Sequence, residues 1–389
     1  MQNIILWCRS NFIEYAVAFI IFLSIPPFFM WSFDKLAPIY SFLVFFLSLL
    51  KFRKLKKTNL LFFTSISLLF LYMSIRNGSN IFGYLAPQLL CSVLLFPSKF
   101  LHDVFDKFSK LYAATIIPSI LMYVLVVLIG VDISYEIVEP LNALKDYDYL
   151  HYPFLIVTNK LNIGSFRFEA YYDEPGVVGT ISGVLLLARG IHVKKWETWP
   201  ILISGFLSLS LAFYLMLFAN ILIFQNIKVK ILLTSVLVFL GAVLVENEVV
   251  GTLMFDRLTI EDGRLAGENR TSSKMDVFME RYVGSNEFLF GYGGNYSQEV
   301  VNVGGASYKD FLVNYGIVGF GMLVFFSLLF ALVFLRPSKL FVIYFVIFGS
   351  VIYQRPFVNH TLYFSLLYFS FLYMSYKNRC VSSQKMAIN

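Results

Sequence analysis

The stretch RFEAYYDEPG at 167–176 packs Arg167, Glu169, Asp173 and Glu174 into eight residues, then meets Pro175 and the apolar run VVGTISGVLLLA. Side chains of these types do two kinds of chemistry. A carboxylate takes a proton from a hydroxyl, and a guanidinium grips phosphate oxygens through paired N–H bonds. Pro is favoured in the first turn of a helix, where its missing N–H would have no partner. A carboxylate just before it complements the positive end of the helix dipole. The stretch therefore reads as a charged loop that ends by entering a membrane helix. Two readings stand: Glu174 caps that helix while Arg167 anchors it at the headgroups, or four ionisable groups at a membrane boundary form a functional site.

More cations follow at 248–310. The apolar residues Met275, Val277, Phe278, Met279, Tyr282 and Val283 have the spacing of an amphipathic helix over 272–283, with Arg270 at its start and Lys274 and Arg281 on it. A solvated basic face on an interfacial helix explains them equally well. The Gly-rich GYGGN at 291–295 lacks the Lys-Ser/Thr of a phosphate-binding loop and the strand context of a dinucleotide fold, so it reads as a tight turn.

The elements that must position these groups are membrane helices. Of 389 residues, 58% are hydrophobic and 14% charged, against about a quarter charged in soluble domains. Apolar runs near twenty residues recur along the chain, which predicts an all-α polytopic membrane protein. A β-barrel would alternate over segments of about ten residues instead. The net charge of +7 lies in short turns between spans and does not predict nucleic-acid binding. Cys8, Cys91 and Cys380 make neither ligand spacing nor a disulfide framework. The first apolar run lacks a small-residue cleavage site and is read as a retained span.

The basic cluster KFRKLKK at 51–57 fixes the frame, because Lys and Arg favour cytoplasmic turns. About twelve spans follow from it, with both termini inside. They fall near 12–32 (kinked at Pro26 and Pro27), 36–50, 59–75, 81–96, 111–131, 176–188, two short ones within 199–225 that break near 208–210, 231–247, 311–335, 339–353 and 361–376. The segment 97–110 is expected on the inner surface, with Phe100, Val104, Phe105 and Phe108 facing the bilayer. Two long loops, 132–175 and 248–310, lie outside on a single membrane domain, 1–389. Of 24 Asp and Glu, 19 fall in 132–174 and 246–310, so the working surface is expected on the extracytoplasmic side.

The stretch at 167–175 resembles the R-x-x-G-x-F-x-E-P signature of the Wzy-type O-antigen polymerases. Arg167, Glu174 and Pro175 are in register, with Ala170 where that family often has Gly and Tyr172 where it often has Phe. A second part resembles the same family and its ligase relatives: Arg270, then Gly291-Tyr292-Gly293, then Tyr315-Gly316-Ile317-Val318-Gly319 entering the next span. The ligases carry a His shortly before that span, where this chain has Ala306, Ser307 and Tyr308. That departure points away from the ligase branch.

The resemblance implies a GT-C-like, polymerase/ligase-type helical fold in a bacterial inner membrane, with a periplasmic active site. It implies transfer of a glycan from undecaprenyl diphosphate to the sugar of another lipid-linked oligosaccharide, in O-antigen or capsule-type biosynthesis. The lipid diphosphate leaves already ionised, so the reaction needs cations rather than an acid. Inversion, and independence of metals and cofactors, are implied likewise. Arg167, Arg270 and Arg281 are then the diphosphate candidates, with Arg264, Lys274 and Arg355 behind them. Glu174 is the first candidate base, ahead of Glu169 and Asp173. Tyr171, Tyr172, Tyr292 and Tyr308 are candidates for stacking on sugars, and His151 and His360 are the outer-side imidazoles. A chain-length regulator and a flippase have a place beside such an enzyme. A ligase, a twelve-span flippase or transporter of lipid-linked sugars, and a scaffold for polysaccharide machinery are the competing readings. A transporter is expected to place ionisable or broken-helix sites at mid-membrane.

Overall fold

In the computed structural model, residues 2–24, 27–49, 56–79, 81–140, 147–159, 167–224, 230–231, 234–235, 260–261, 264–265, 273–294, 296, 308–335, 339–354, 358 and 360–388 are described. The chain is a helical membrane protein. Lys57–Arg76, Ser98–Ile129 and Tyr308–Phe334 are long and apolar enough to span a bilayer, and shorter apolar helices accompany them.

The first elements are α1 (Gln2–Leu23), a 3₁₀ segment (Phe28–Leu36), α2 (Ala37–Leu49), α3 (Lys57–Arg76) and α4 (Ile81–Ser92). The expected kinked span through 12–32 is corrected. The α1 helix ends at Leu23, and a separate 3₁₀ segment begins at Phe28. Next comes α5 (Ser98–Tyr123), prolonged by π-helical turns over Val124–Ile129 and closed by Gly130 with φ +78°. The interfacial helix expected at 97–110 is corrected too: it is the first half of α5. Phe100, Val104, Phe105 and Phe108 are buried. The last three line a small cavity with Ile21, Ser365, Leu366 and Phe369, so the apolar stripe meets protein rather than lipid.

The loop expected at 132–175 contains an antiparallel sheet of β1 (Glu136–Val138), β2 (Tyr149–Tyr152) and β3 (Leu155–Thr158), in that order. Its register pairs Glu136 with His151 and Tyr149 with Thr158. Then follow α6 (Pro175–Arg189), α7 (Thr198–Leu207) and α8 (Leu211–Phe224). The helix break expected near 208–210 is where the chain turns, with Leu209 at φ +47°. The span expected at 231–247 lies largely outside the described residues. After a short ladder of β4 (Ile260–Glu261) and β5 (Arg264–Leu265) come α9 (Ser273–Tyr282), α10 (Glu287–Phe290), α11 (Tyr308–Phe334), α12 (Lys339–Gln354) and α13 (Thr361–Ile388). The expected cytoplasmic tail from 377 thus continues α13.

Contacts group the chain into two compact units. One holds Met1–Pro26, Ser32–Tyr112 and Ser273–Asn389; the other holds Pro27–Trp31 and Ala113–Ser272. Each is built on a helix buried on every side. In the first it is α13, buried from 361 to 375. Its Tyr368 joins Phe62 of α3 and Phe330 of α11, with ring centroids 4.8–5.5 Å apart. Tilted and edge-on arrangements of this kind are the ones that aromatic quadrupoles favour.

In the second unit the central helix is α6, all fifteen residues buried. Its small side chains admit α7 and α8 closely. A Cβ on Gly179 would stand 2.2 Å from that of Ser210, and one on Gly183 would stand 3.0 Å from the Met216 sulfur. Close approach of this kind, together with side-chain hydrogen bonds, holds helices together where lipid removes the hydrophobic drive. Ser182 and Ser204 share such a bond at 3.1 Å, and Asn220 donates to the Leu186 carbonyl at 2.8 Å.

Candidate functional site

The charged stretch 167–174 is laid across the ends of three helices in the second unit. At its start, the Phe168 N–H donates to the Leu207 carbonyl at 3.0 Å. Arg167 Nε donates to the Ser208 carbonyl at 3.2 Å, and Nη2 to the Leu209 carbonyl at 3.4 Å. The last carbonyls of a helix lack intrahelical partners and carry its negative dipole end. Arg167 is therefore the cation at the end of α7, which gives it a fixed position.

The next residues form a tight turn. The Tyr172 N–H donates to the Glu169 carbonyl at 3.0 Å, and the Ala170 carbonyl accepts from Ile156 of β3 at 2.7 Å. Ala170 sits in this turn at φ +54°, where glycine is at ease and an L side chain is not. That is the position at which the polymerase signature carries Gly. Ala170→Gly is expected to stabilise the protein by about 0.5–1 kcal/mol, read as a raised thermal midpoint in detergent. A lowered midpoint would show the turn is not strained.

Glu169 is buried, and Thr158 of β3 donates to its carboxylate at 2.7 Å. The Asp173 backbone carbonyl accepts from the Tyr149 hydroxyl, leaving the half-buried Asp173 carboxylate out of that bond. Burial first, and then the carboxylates of Glu169 and Asp173 and the neighbouring Tyr147, hold the Tyr149 phenol well above its usual pKa. Tyr149 thus remains a donor. Glu174 is the N-cap of α6 in backbone terms, with φ −154° and ψ 139°, and Pro175 takes the first helical position as expected. Its side chain makes no capping bond. The simplest structural reading of Glu174, a side-chain cap, is therefore not what it does.

The side of α5 facing this stretch is a stripe of period four. The Thr115 and Tyr171 hydroxyls are 2.8 Å apart, Ser119 Oγ donates to the Phe154 carbonyl at 2.6 Å, and the Tyr123 and Phe168 rings are 5.3 Å apart. Tyr171 and Tyr172 are buried, so neither offers an open ring face to a sugar. His151 lies on β2, its ring 4.1 Å from that of Phe28 and its Nδ1 3.5 Å from the Glu136 carboxylate.

No protein family, curated protein or solved structure matches the chain.

In the first unit the two glycine motifs, 23 residues apart at Gly293 and Gly316, are one structure. Tyr292 N–H donates to the Val313 carbonyl at 2.9 Å and Gly293 N–H to that of Asn314 at 2.8 Å. A Cβ on Gly291 would lie 2.5 Å from Asn314 backbone atoms, and one on Gly316 2.5 Å from the Gly291 nitrogen and Leu289 oxygen. The end of α3 closes the clasp. The Tyr72 hydroxyl lies 2.8 Å from both the Phe290 and Tyr315 carbonyl oxygens and shares its one proton between them, Arg76 donates to the Gly291 carbonyl, and the Asn77 carboxamide accepts from Gly294 N–H at 3.1 Å.

Of the other expected site residues, Tyr292 stacks on Tyr296 at 4.0 Å, and Tyr308 begins α11 with its ring 6.2 Å from that of Tyr353. Arg281 is exposed at the last turn of α9. His360 precedes α13, its carbonyl accepting from Phe364 N–H at 3.0 Å. Arg264 lies on β5 and Lys274 on α9, their side chains outside the described residues, as are Arg270 and Arg355 altogether. Arg167, Glu169, Asp173 and Glu174 are thus brought together in the second unit. Arg281, Tyr292, Tyr308 and His360 belong to the first.

Sequence reasoning missed Tyr149, Thr158 and Arg76. The first two had a signal: YLHYPFLIVT is a strand, a Pro-containing turn and a strand. Arg76 had none beyond its place at a helix end.

Proposed function

We propose that the chain is a Wzy-type polysaccharide polymerase, a twelve-span inner-membrane glycosyltransferase with its termini in the cytoplasm and its active site toward the periplasm. The observation that carries this reading is the placement of Arg167 and Glu174, the two charged residues of the R…EP signature, at the C-terminal end of α7 and the N-terminal end of α6. An acceptor sugar hydroxyl attacks the anomeric carbon of a glycan held on undecaprenyl diphosphate. The new glycosidic bond forms as the bond to the diphosphate oxygen breaks. The electron pair leaves with the lipid diphosphate, and the hydroxyl proton passes to Glu174. Arginines stabilise the departing charge: Arg167, with Arg270 as a further member. No acid is needed on a leaving group already ionised. Glu169, held by Thr158, positions the turn.

The test uses purified protein in detergent, one lipid-diphosphate-linked repeat unit, and EDTA. A ladder of products that vanishes with Arg270→Ala supports the polymerase. A single addition that requires a core-lipid acceptor points to a ligase instead.

One observation favours a second reading. The short helices α7 and α8 meet at a break into which Arg167 donates, and broken helices with ionisable partners are typical of transporter sites. Movement of the intact substrate across vesicles, with no ladder, would replace the enzyme by a flippase.

A further inference from the structure

Loops run over protein surfaces as a rule, because buried backbone leaves polar groups unsatisfied. The segment between α5 and α6 was expected there, yet its contacts with α5 place it elsewhere. Between Lys110 and Asp132 the chain carries no Asp, Glu, Lys or Arg: residues 111–131, 21 in all. At 1.5 Å per residue that run is about 30 Å long, the thickness of a bilayer's hydrocarbon core. Ser119 lies nine residues beyond Lys110 and thirteen before Asp132, near the middle of the run. Its hydroxyl donates to the carbonyl of Phe154, at the two-residue tip that joins β2 to β3. Contacts one turn to either side, from Thr115 and Tyr123, keep the 168–171 stretch beside the same part of α5.

The hairpin tip has the exposure of a lipid-facing element. Phe154 is 61% exposed, whereas the next residues, Leu155 and Ile156, are wholly buried. On α5 itself Ile117, Leu121, Leu125 and Leu128 form an exposed apolar stripe over the same depth. Phe154 also holds φ +66°, a value a bulky aromatic adopts only when its surroundings enforce it. The bond from Ser119 gives the Phe154 carbonyl an internal partner, which each backbone polar group needs in hydrocarbon.

We infer that the β2–β3 hairpin is an intramembrane element, and that Phe154 presents its ring to the hydrocarbon chains of the bilayer lipid about half way along the spanning part of α5. This goes beyond the glycosyltransferase reading and does not depend on it.

The test is electron paramagnetic resonance on the full chain in phosphatidylcholine vesicles, in a Cys8→Ser, Cys91→Ala, Cys380→Ser background. Nitroxide is attached at Phe154→Cys, with Leu121→Cys as the lipid reference and Asp132→Cys as the aqueous one. Collision with oxygen, which partitions into hydrocarbon, is compared with collision with a water-soluble nickel chelate. The expected oxygen-to-nickel ratio at 154 lies near that at 121 and severalfold above that at 132. A ratio nearer that at 132 would put the hairpin in water and overturn the inference. Because Phe154→Cys removes a large side chain, Pro153→Cys at the same exposed tip is measured alongside and must give the same answer. Activity is not part of the readout, so the polymerase reading and this one fail separately.

Discussion

Glu174→Gln is expected to abolish polymerisation, lowering the rate by about 10²–10⁴-fold, while the protein still elutes as one folded species. The change is isosteric and removes only the basic oxygen. The Glu174 side chain makes no cap bond, so the expected cost to α6 is the charge–dipole attraction, about 0.3–1 kcal/mol. The neighbouring carboxylates supply the contrast. Gln at 169 keeps an oxygen that can accept the Thr158 hydroxyl, and Asn at 173 keeps the backbone carbonyl that Tyr149 uses. Glu169→Gln and Asp173→Asn are therefore expected to retain most activity. A full ladder from Glu174→Gln, with loss in either of the other two, would move the base along the turn. A full ladder from all three would mean that no carboxylate in this stretch takes the proton.

Gly316→Ala is expected to cost about 3 kcal/mol or more, from backbone strain and overpacking together. Gly316 has φ +67° and ψ −177° inside α11, a region almost restricted to glycine. Its added Cβ would strike the Gly291 nitrogen and the Leu289 oxygen at 2.5 Å. Both are backbone atoms and neither can turn aside as a flexible side chain can. Five residues on, Gly321 has nothing within 4 Å of such a Cβ, so Gly321→Ala serves as the control and should be neutral or slightly stabilising. Thermal unfolding in detergent separates the two. Equal midpoints would show that the clasp between the glycine motifs does not hold the fold.

Much of the helical framework was legible because hydropathy is a local property. The apolar runs around 59–75, 176–188 and 339–353 became α3, α6 and α12 within a residue or two. The α7–α8 break was legible by topology: two basic turns in succession require the chain to reverse between them, and Ser208 and Ser210 flank the reversal. The segment 97–110 was misread because an apolar stripe at helical spacing does not say whether protein or lipid covers it. Phe100 and Phe108 looked like residues of a surface helix and are buried in the interior. The site was half legible. Arg167 and Glu174 stood out by charge beside Pro175, but their partners did not. Arg167 is placed by carbonyls 41 and 42 residues away, and backbone carbonyls leave no mark in a sequence. The glycine motifs were visible separately, and only folding shows that each makes room for the other.

The all-buried α6 has a consequence for how the protein is made. At fifteen residues it is about 22 Å long, shorter than a hydrocarbon core, and Gly176, Gly179, Thr180, Ser182 and Gly183 make it a weak candidate for insertion on its own. Synthesis runs from the N-terminus, so α6 leaves the ribosome before α7 and α8, the helices that cover it. It is therefore expected to enter the bilayer together with its covering hairpin, as a single biosynthetic unit.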